Sequence, residues 1–251
     1  MKRIAFVLLL TLAATPLWGG CPGNNCYFYG GDFSAGATVI EANFADALAN
    51  ENDAIISGSP YGAAIYQNFA SSYYISVAGL FTNNLSQITP TSGYWEIRSG
   101  VSEGNGGMLI ASGTGNVTNT PTGRSGFGYT EYHNEVDGLY VLLSPGTYWF
   151  AVVPNCTTCA GRSWNTNTTG LNSVGTTIPN EQYFNSSFFG ANFTNANNYG
   201  TFPTFSSGVL VPYCSGSCGL DSASDVPEPS SFILLGSGLM GAAVAALRRM
   251  S

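Results

Sequence analysis

The densest group of ionisable side chains in the interior of this 251-residue chain is Glu131-Tyr132-His133-Asn134-Glu135-Val136-Asp137. Carboxylates at this spacing offer two chemistries, a calcium loop on Glu131, Glu135 and Asp137 or an acid–base pair on Glu131 and Glu135. The ligand spacing of a calcium loop is absent, so the expectation here is a solvated strand end and turn. Asn50-Glu51-Asn52-Asp53 is oxygen-rich as well. His133 is the one histidine of the chain, so any Ser-His-Asp or Cys-His arrangement must use it, and no nucleophile-elbow sequence accompanies it. The six cysteines fall in close pairs, Cys21 with Cys26, Cys156 with Cys159 and Cys214 with Cys218. Each pair could close a small disulfide loop in an oxidising compartment, and cross-pairing such as Cys21 to Cys214 stays open. Zinc on Cys156-Thr157-Thr158-Cys159 would need two further ligands. No metal and no cofactor is expected.

The two ends read as addresses. Lys2 and Arg3 precede an apolar run from Ile4 to Ala14, followed by Thr15-Pro16-Leu17-Trp18-Gly19-Gly20, the pattern of a secretory signal peptide over residues 1–20. Cys21 raises a lipoprotein signal, but Trp18 is too bulky three residues before it, and simple cleavage near Gly19 or Gly20 is expected. At the other end stand Val226-Pro227-Glu228-Pro229, an apolar run from Phe232 to Leu247, and Arg248-Arg249. As a helix, residues 231–247 would rise roughly 25 Å, slightly short of a bilayer's hydrocarbon core, and the expectation is a transmembrane helix that only just spans it. Arg248 and Arg249 make the C-terminus the cytoplasmic end and leave everything before Val226 outside. Gly236, Ser237, Gly238, Gly241, Ala242 and Ala245 put small residues at four-residue spacing, which would let another helix approach closely.

Pro227, Glu228 and Pro229, with the short apolar stretch and the terminal arginines behind them, closely resemble the PEP-CTERM sorting signal of bacterial exported proteins. The resemblance covers about a tenth of the chain, residues 226–251, and all three parts occur in order. It implies recognition by an exosortase, a membrane-embedded transpeptidase-like protease that cuts at or near the motif. It also implies transient anchoring in the inner membrane and a final place at the cell surface or outside it, in bacteria that make exopolysaccharide. Signal peptidase would be the other processing partner.

Between the two addresses lie about 205 residues, enough for one sizeable domain. From Cys21 to Asp225 three arginines, Arg98, Arg124 and Arg162, stand against thirteen carboxylates, a net charge of −10 with no lysine. Phosphate binding needs clustered cations, so a nucleic-acid partner is excluded. The chain has 32 Gly, 14 Tyr, 15 Phe and 4 Trp with only 8% charged residues, a composition that suits pleated, half-buried surfaces. The expectation is an all-β, β-sandwich or jelly-roll-like ectodomain over residues 61–212, preceded by a lead-in at 21–60 and followed by a flexible linker at 213–225.

Expected strands are Ala64 to Phe69, Tyr73 to Phe81, Tyr94 to Arg98, Met108 to Ser112, Gly126 to Tyr132, Leu139 to Leu143 and Thr147 to Val153. The last two read as a hairpin about Pro145-Gly146, with alternate residues lining the core. One short helix is expected between Val39 and Asn50, where Ile40, Phe44, Ala47 and Leu48 share a face. From Asn165 to Phe205 the aromatics argue for packing against the sandwich. Sequons beginning at Asn84, Asn116, Asn155, Asn167, Asn185 and Asn192 read as surface stretches.

The function expected first is a non-enzymatic surface or matrix protein associating with exopolysaccharide. Tyr73, Tyr74, Tyr94, Trp95, Trp149 and Trp164 are its candidate sugar-stacking rings. A secreted carbohydrate-active enzyme using Glu131 and Glu135, or a carbohydrate-binding module, is the alternative. Ice binding ranks last, because no regular Thr-rich repeat builds a flat ladder.

Overall fold

The computed structural model describes residues 25–33, 63–155, 163–186, 190–198 and 204–212. The chain divides into two units, Met1–Tyr213 and Cys214–Ser251, and every described residue belongs to the first. The expected helix at Val39 to Asn50, the linker, both terminal addresses and five of the six cysteines lie outside the described residues. No helix among the described residues is long and apolar enough to cross a membrane.

The described chain is nearly all strand. In order come β1 (Cys26–Tyr29), β2 (Ala64–Ser71), β3 (Ile75–Val77), β4 (Gly79–Ser86), β5 (Ser92–Ser99) and β6 (Met108–Asn116). Then follow β7 (Thr118–Gly126), β8 (Tyr129–Val136), β9 (Val141–Leu143), β10 (Gly146–Asn155) and β11 (Ser163–Asn165). The last are β12 (Asn167–Thr168), β13 (Tyr183–Ser186), β14 (Ala191–Asn195), β15 (Thr204–Phe205) and β16 (Ser207–Leu210). One sheet runs β1-β16-β4-β8-β7 with β11 also on β4, and a second runs β14-β13-β2-β10-β5-β6. All their pairings are antiparallel. β1, which falls within the expected lead-in, is thus a strand of the first sheet.

Alternation along β10 shows how the layers stack. Tyr148, Phe150 and Val152 point into a core shared by both sheets, with Phe28 of β1, Leu80 of β4, Val136 of β8 and Val209 of β16. Trp149, Ala151 and Val153 point the other way into a second core with Tyr66, Tyr94, Phe193 and Phe205. The second sheet is therefore covered on both faces, and each large apolar side chain among these contributes roughly 1.5–3 kcal/mol by leaving water. The late aromatic segment supplies that cover, as its composition predicts, through Phe184, Phe193 and Phe205.

Two expectations change. Residues 73–81 are not one strand: the chain breaks at Ala78 into β3 and β4, which join different sheets. The expected hairpin about Pro145-Gly146 does not form either. β9 pairs with β3, while β10 already has β2 on one edge and β5 on the other, so no edge of β10 is open to β9.

The edge of β4 is shared between two strands. Its first half pairs with β16 and its second half with β11. At the handover Asn83 donates its N–H to the Ser206 carbonyl and accepts from Thr166, and Ser206 donates to the Thr166 carbonyl. Gly208 is required beside this ladder, because a Cβ there would sit 2.3 Å from the Phe81 ring.

Candidate functional site

The seven-residue cluster lies on β8, where alternation sends Glu131, His133 and Glu135 to one face. Glu131 is fully buried. Its Oε2 accepts from Arg124 Nε and from Thr122 Oγ1 at 2.7 Å, and its Oε1 accepts from Thr166 Oγ1 at 2.8 Å. Arg124 also donates from Nη1 to Asp32 Oδ1 at 3.0 Å. Asp32 in turn accepts from Tyr29 Oη and from Asn172 Nδ2, each at 2.8 Å. Tyr29 meets Ser206 Oγ, and Asn83 Nδ2 donates to both of those hydroxyl oxygens. The result is a buried network joining β1, β4, β7 and β8 with the segments around Asp32, Thr166 and Asn172.

His133 closes one end of it. Its Nδ1 lies 3.0 Å from Asn83 Oδ1 and its Nε2 lies 3.1 Å from Glu135 Oε2, with the ring 4.4 Å from that of Phe81. Glu131 and Glu135 stand four residues apart on one strand, about 13 Å along it, with His133 between them. They do not face each other across a cleft. Asp137 follows the strand and is exposed, away from the buried Glu131. Both oxygens of Glu131 are thus engaged by protein donors, and Glu131, Glu135 and Asp137 are not brought together as a ligand set. The cluster expected to be a solvated turn is instead largely a structural clamp.

A second buried carboxylate, which composition and motif did not single out, sits on the outer face of the second sheet. Glu96 is fully buried and Arg98, two residues on along β5, binds it through Nε at 2.8 Å and Nη2 at 3.1 Å. Tyr66 donates a short hydrogen bond to Glu96 Oε1 and Tyr94 donates to Oε2 at 3.1 Å. The guanidinium also donates to the Gly106 carbonyl and lies 5.1 Å from the Phe193 ring centroid. Burial pushes the Tyr66 hydroxyl well above its ordinary range, with Glu96 adding to it, and pushes Tyr94 up to about 12. Burial likewise raises Tyr29. For Arg98 burial works against the charge, but Glu96 outweighs it and the guanidinium is raised. The spacing Glu96-Ile97-Arg98 on a strand was the available signal, since residues two apart share a face.

The candidate sugar-stacking rings divide sharply. Tyr94, Trp95, Trp149 and Trp164 are buried in the cores, whereas Tyr73 is 38% and Tyr74 70% exposed. Two residues of the expected hairpin join the exposed set: Tyr140 at 89% and Leu142 at 68%. β3 and β9 pair Ile75 with Leu143, Ser76 with Leu142 and Val77 with Val141. Ile75, Val77 and Leu143 turn inward, so Tyr74, Leu142 and Tyr140 form an outward strip on this two-stranded ribbon. The sequons are corrected too. Asn84, Asn167 and Asn185 are buried, and Asn84 donates to Asn165 Oδ1 at 2.8 Å, because this interior carries amides as well as rings.

Of the six cysteines, Cys26 is among the described residues and opens β1. The comparisons with known proteins bear on the C-terminal address. No curated protein and no solved structure matches the chain. Residues 225–249 match the PEP-CTERM protein-sorting motif, which implies export, transient C-terminal anchoring and processing by an exosortase.

Proposed function

We propose that this chain is a non-enzymatic surface or matrix protein, delivered by the exosortase system, whose ectodomain associates with exopolysaccharide through the Tyr74–Leu142–Tyr140 strip. The strip is the observation that carries the reading. Tyrosine offers an apolar ring face to the C–H face of a sugar and a hydroxyl at its rim. Tyr74 and Tyr140 stand about 14 Å apart across the ribbon, so they fit an extended saccharide better than a single ring. The ribbon residues 71–79 and 138–146 carry no charge, which spares a neutral glycan the cost of desolvating ions. Cys26 is disulfide-bonded, which accords with an exported chain.

Affinity electrophoresis of the exported protein in gels containing the exopolysaccharide of its own cells tests this. The wild type should be retarded and Tyr74→Ala with Tyr140→Ala should run free, at a stability cost of about 0.5 kcal/mol per exposed site. Equal mobility of the two proteins in the loaded gel would remove the strip from the mechanism. Delivery is tested separately by replacing Pro227, Glu228 and Pro229 with alanine, which should hold the full-length chain in the inner membrane. Unchanged processing would sink that part.

A further inference from the structure

We infer that β6 is a pairing edge through which two copies of this chain join their second sheets into one continuous antiparallel sheet. β6 ends the sheet order, and among the described residues its outer side meets no strand. It is nine residues long, and the register with β5 is regular from Ala111 to Asn116 after a bulge at Ile110. Unpaired strand edges invite another strand, and proteins normally block them with charge, proline or a bulge.

β7, one of the two terminal strands of the other sheet, is blocked in that way. Pro121 removes a donor, the register breaks between Pro121 and Ser125, and Arg124 lies within the break. From Ala111 to Asn116 β6 has none of these devices. Residues 104–123 contain no charged side chain, although the ectodomain around them is strongly acidic. Two copies can therefore meet here without like charges facing each other.

The side chains favour a second copy as the occupant. A two-fold axis at Gly113 sets Ser112 opposite the second copy's Thr114 on one face, a hydroxyl pair suited to cross-strand hydrogen bonding. On the other face it sets Ala111 opposite the second copy's Gly115. Gly113 and Gly115 lie close against Trp95 and Val136, where a Cβ would stand 3.2 Å and 2.7 Å from them. The inner face of the edge is thus held flat by glycine, and nothing bulky projects to obstruct the incoming strand. This inference does not depend on the polysaccharide reading.

Sedimentation equilibrium of the exported protein at micromolar concentration, with hydrogen exchange on the same samples, tests it. The wild type should be dimeric, with the outward-pointing β6 amides protected only in the dimer. Ser112→Lys with Thr114→Lys, which makes lysine face lysine, should weaken association about tenfold or more while leaving the melting transition in place. Thr118→Lys with Thr120→Lys on the blocked edge should leave the dimer intact. A monomeric wild type, outward β6 amides protected in a monomer, or a dimer indifferent to the β6 lysines would each overturn the inference.

Discussion

Glu96 and Glu131 are both fully buried carboxylates held by an arginine, yet their partners come from different distances along the chain. Glu96 is neutralised from its own strand, by Arg98, and sealed by the rings of Tyr66, Tyr94 and Phe193. Glu131 is neutralised from the neighbouring edge strand by Arg124, which also reaches Asp32, and it is shared with Thr122 and Thr166. The first centre is a local charge pair closed under a lid. The second is a clamp that fixes remote segments to the first sheet. Removing the arginine should therefore cost most where solvent cannot take its place.

The largest effect is expected for Arg98→Ala, which leaves Glu96 charged in the interior and should cost about 3–5 kcal/mol in denaturant unfolding. Replacing Glu96 and Arg98 together by leucine and methionine should recover part of that loss, the Tyr66 and Tyr94 hydroxyls losing the carboxylate as acceptor. A double variant no more stable than Arg98→Ala would show that the carboxylate is not the source of the cost. Arg124→Ala should cost less, about 2 kcal/mol, because each carboxylate keeps two hydroxyl donors but the Arg124 side chain is 18% exposed against 7% for Arg98, so water more readily takes its place. It should also speed hydrogen exchange in β7, which Arg98→Ala should not, and equal exchange in the two variants would dissolve the distinction.

Alkali probes the sealed side. The folded pKa of Tyr66 is raised above the unfolded value near 10, so its protonated form is favoured in the folded state. That stability is present below about pH 10 and is lost as pH rises towards the folded pKa. Tyr94, pushed up to about 12, adds to the same window. Tyr66→Phe should flatten part of the loss between about pH 10 and 12, and an unchanged alkaline limb would contradict this. The smallest effect belongs to the rim of the clamp. Glu135→Gln should change stability by at most about 1 kcal/mol, since the pair with His133 is partly exposed on both sides. A loss comparable to that of Arg124→Ala would move His133 and Glu135 from the rim to the centre of the network.

Much of the local structure is legible in the sequence. The short strands bounded by Gly, Pro, Asn and Ser are visible because β structure leaves a period of two and marked turn residues. Pairing is not. The chain does bend at Pro145, with Gly146 already in β10, but strand neighbours are chosen by which edges remain open, and β10 has none to give to β9. Asn84 and Glu131 read as surface residues because their types are usually hydrated. They are buried because distant residues supply their hydrogen bonds: Asn165 for Asn84, and Arg124 and Thr166 for Glu131.

The amino-acid sequence by itself determined the C-terminal address and the all-β class, since a sorting signal is read as a linear string and strand propensity is local. Only the tertiary structure decided which of the aromatics face water and which carboxylates are engaged. Alternation assigns each strand residue to one of two faces, but whether a face is covered depends on segments arriving from far along the chain. Trp149 is thereby core and Tyr140 surface, and Glu131 is a fastening rather than a ligand.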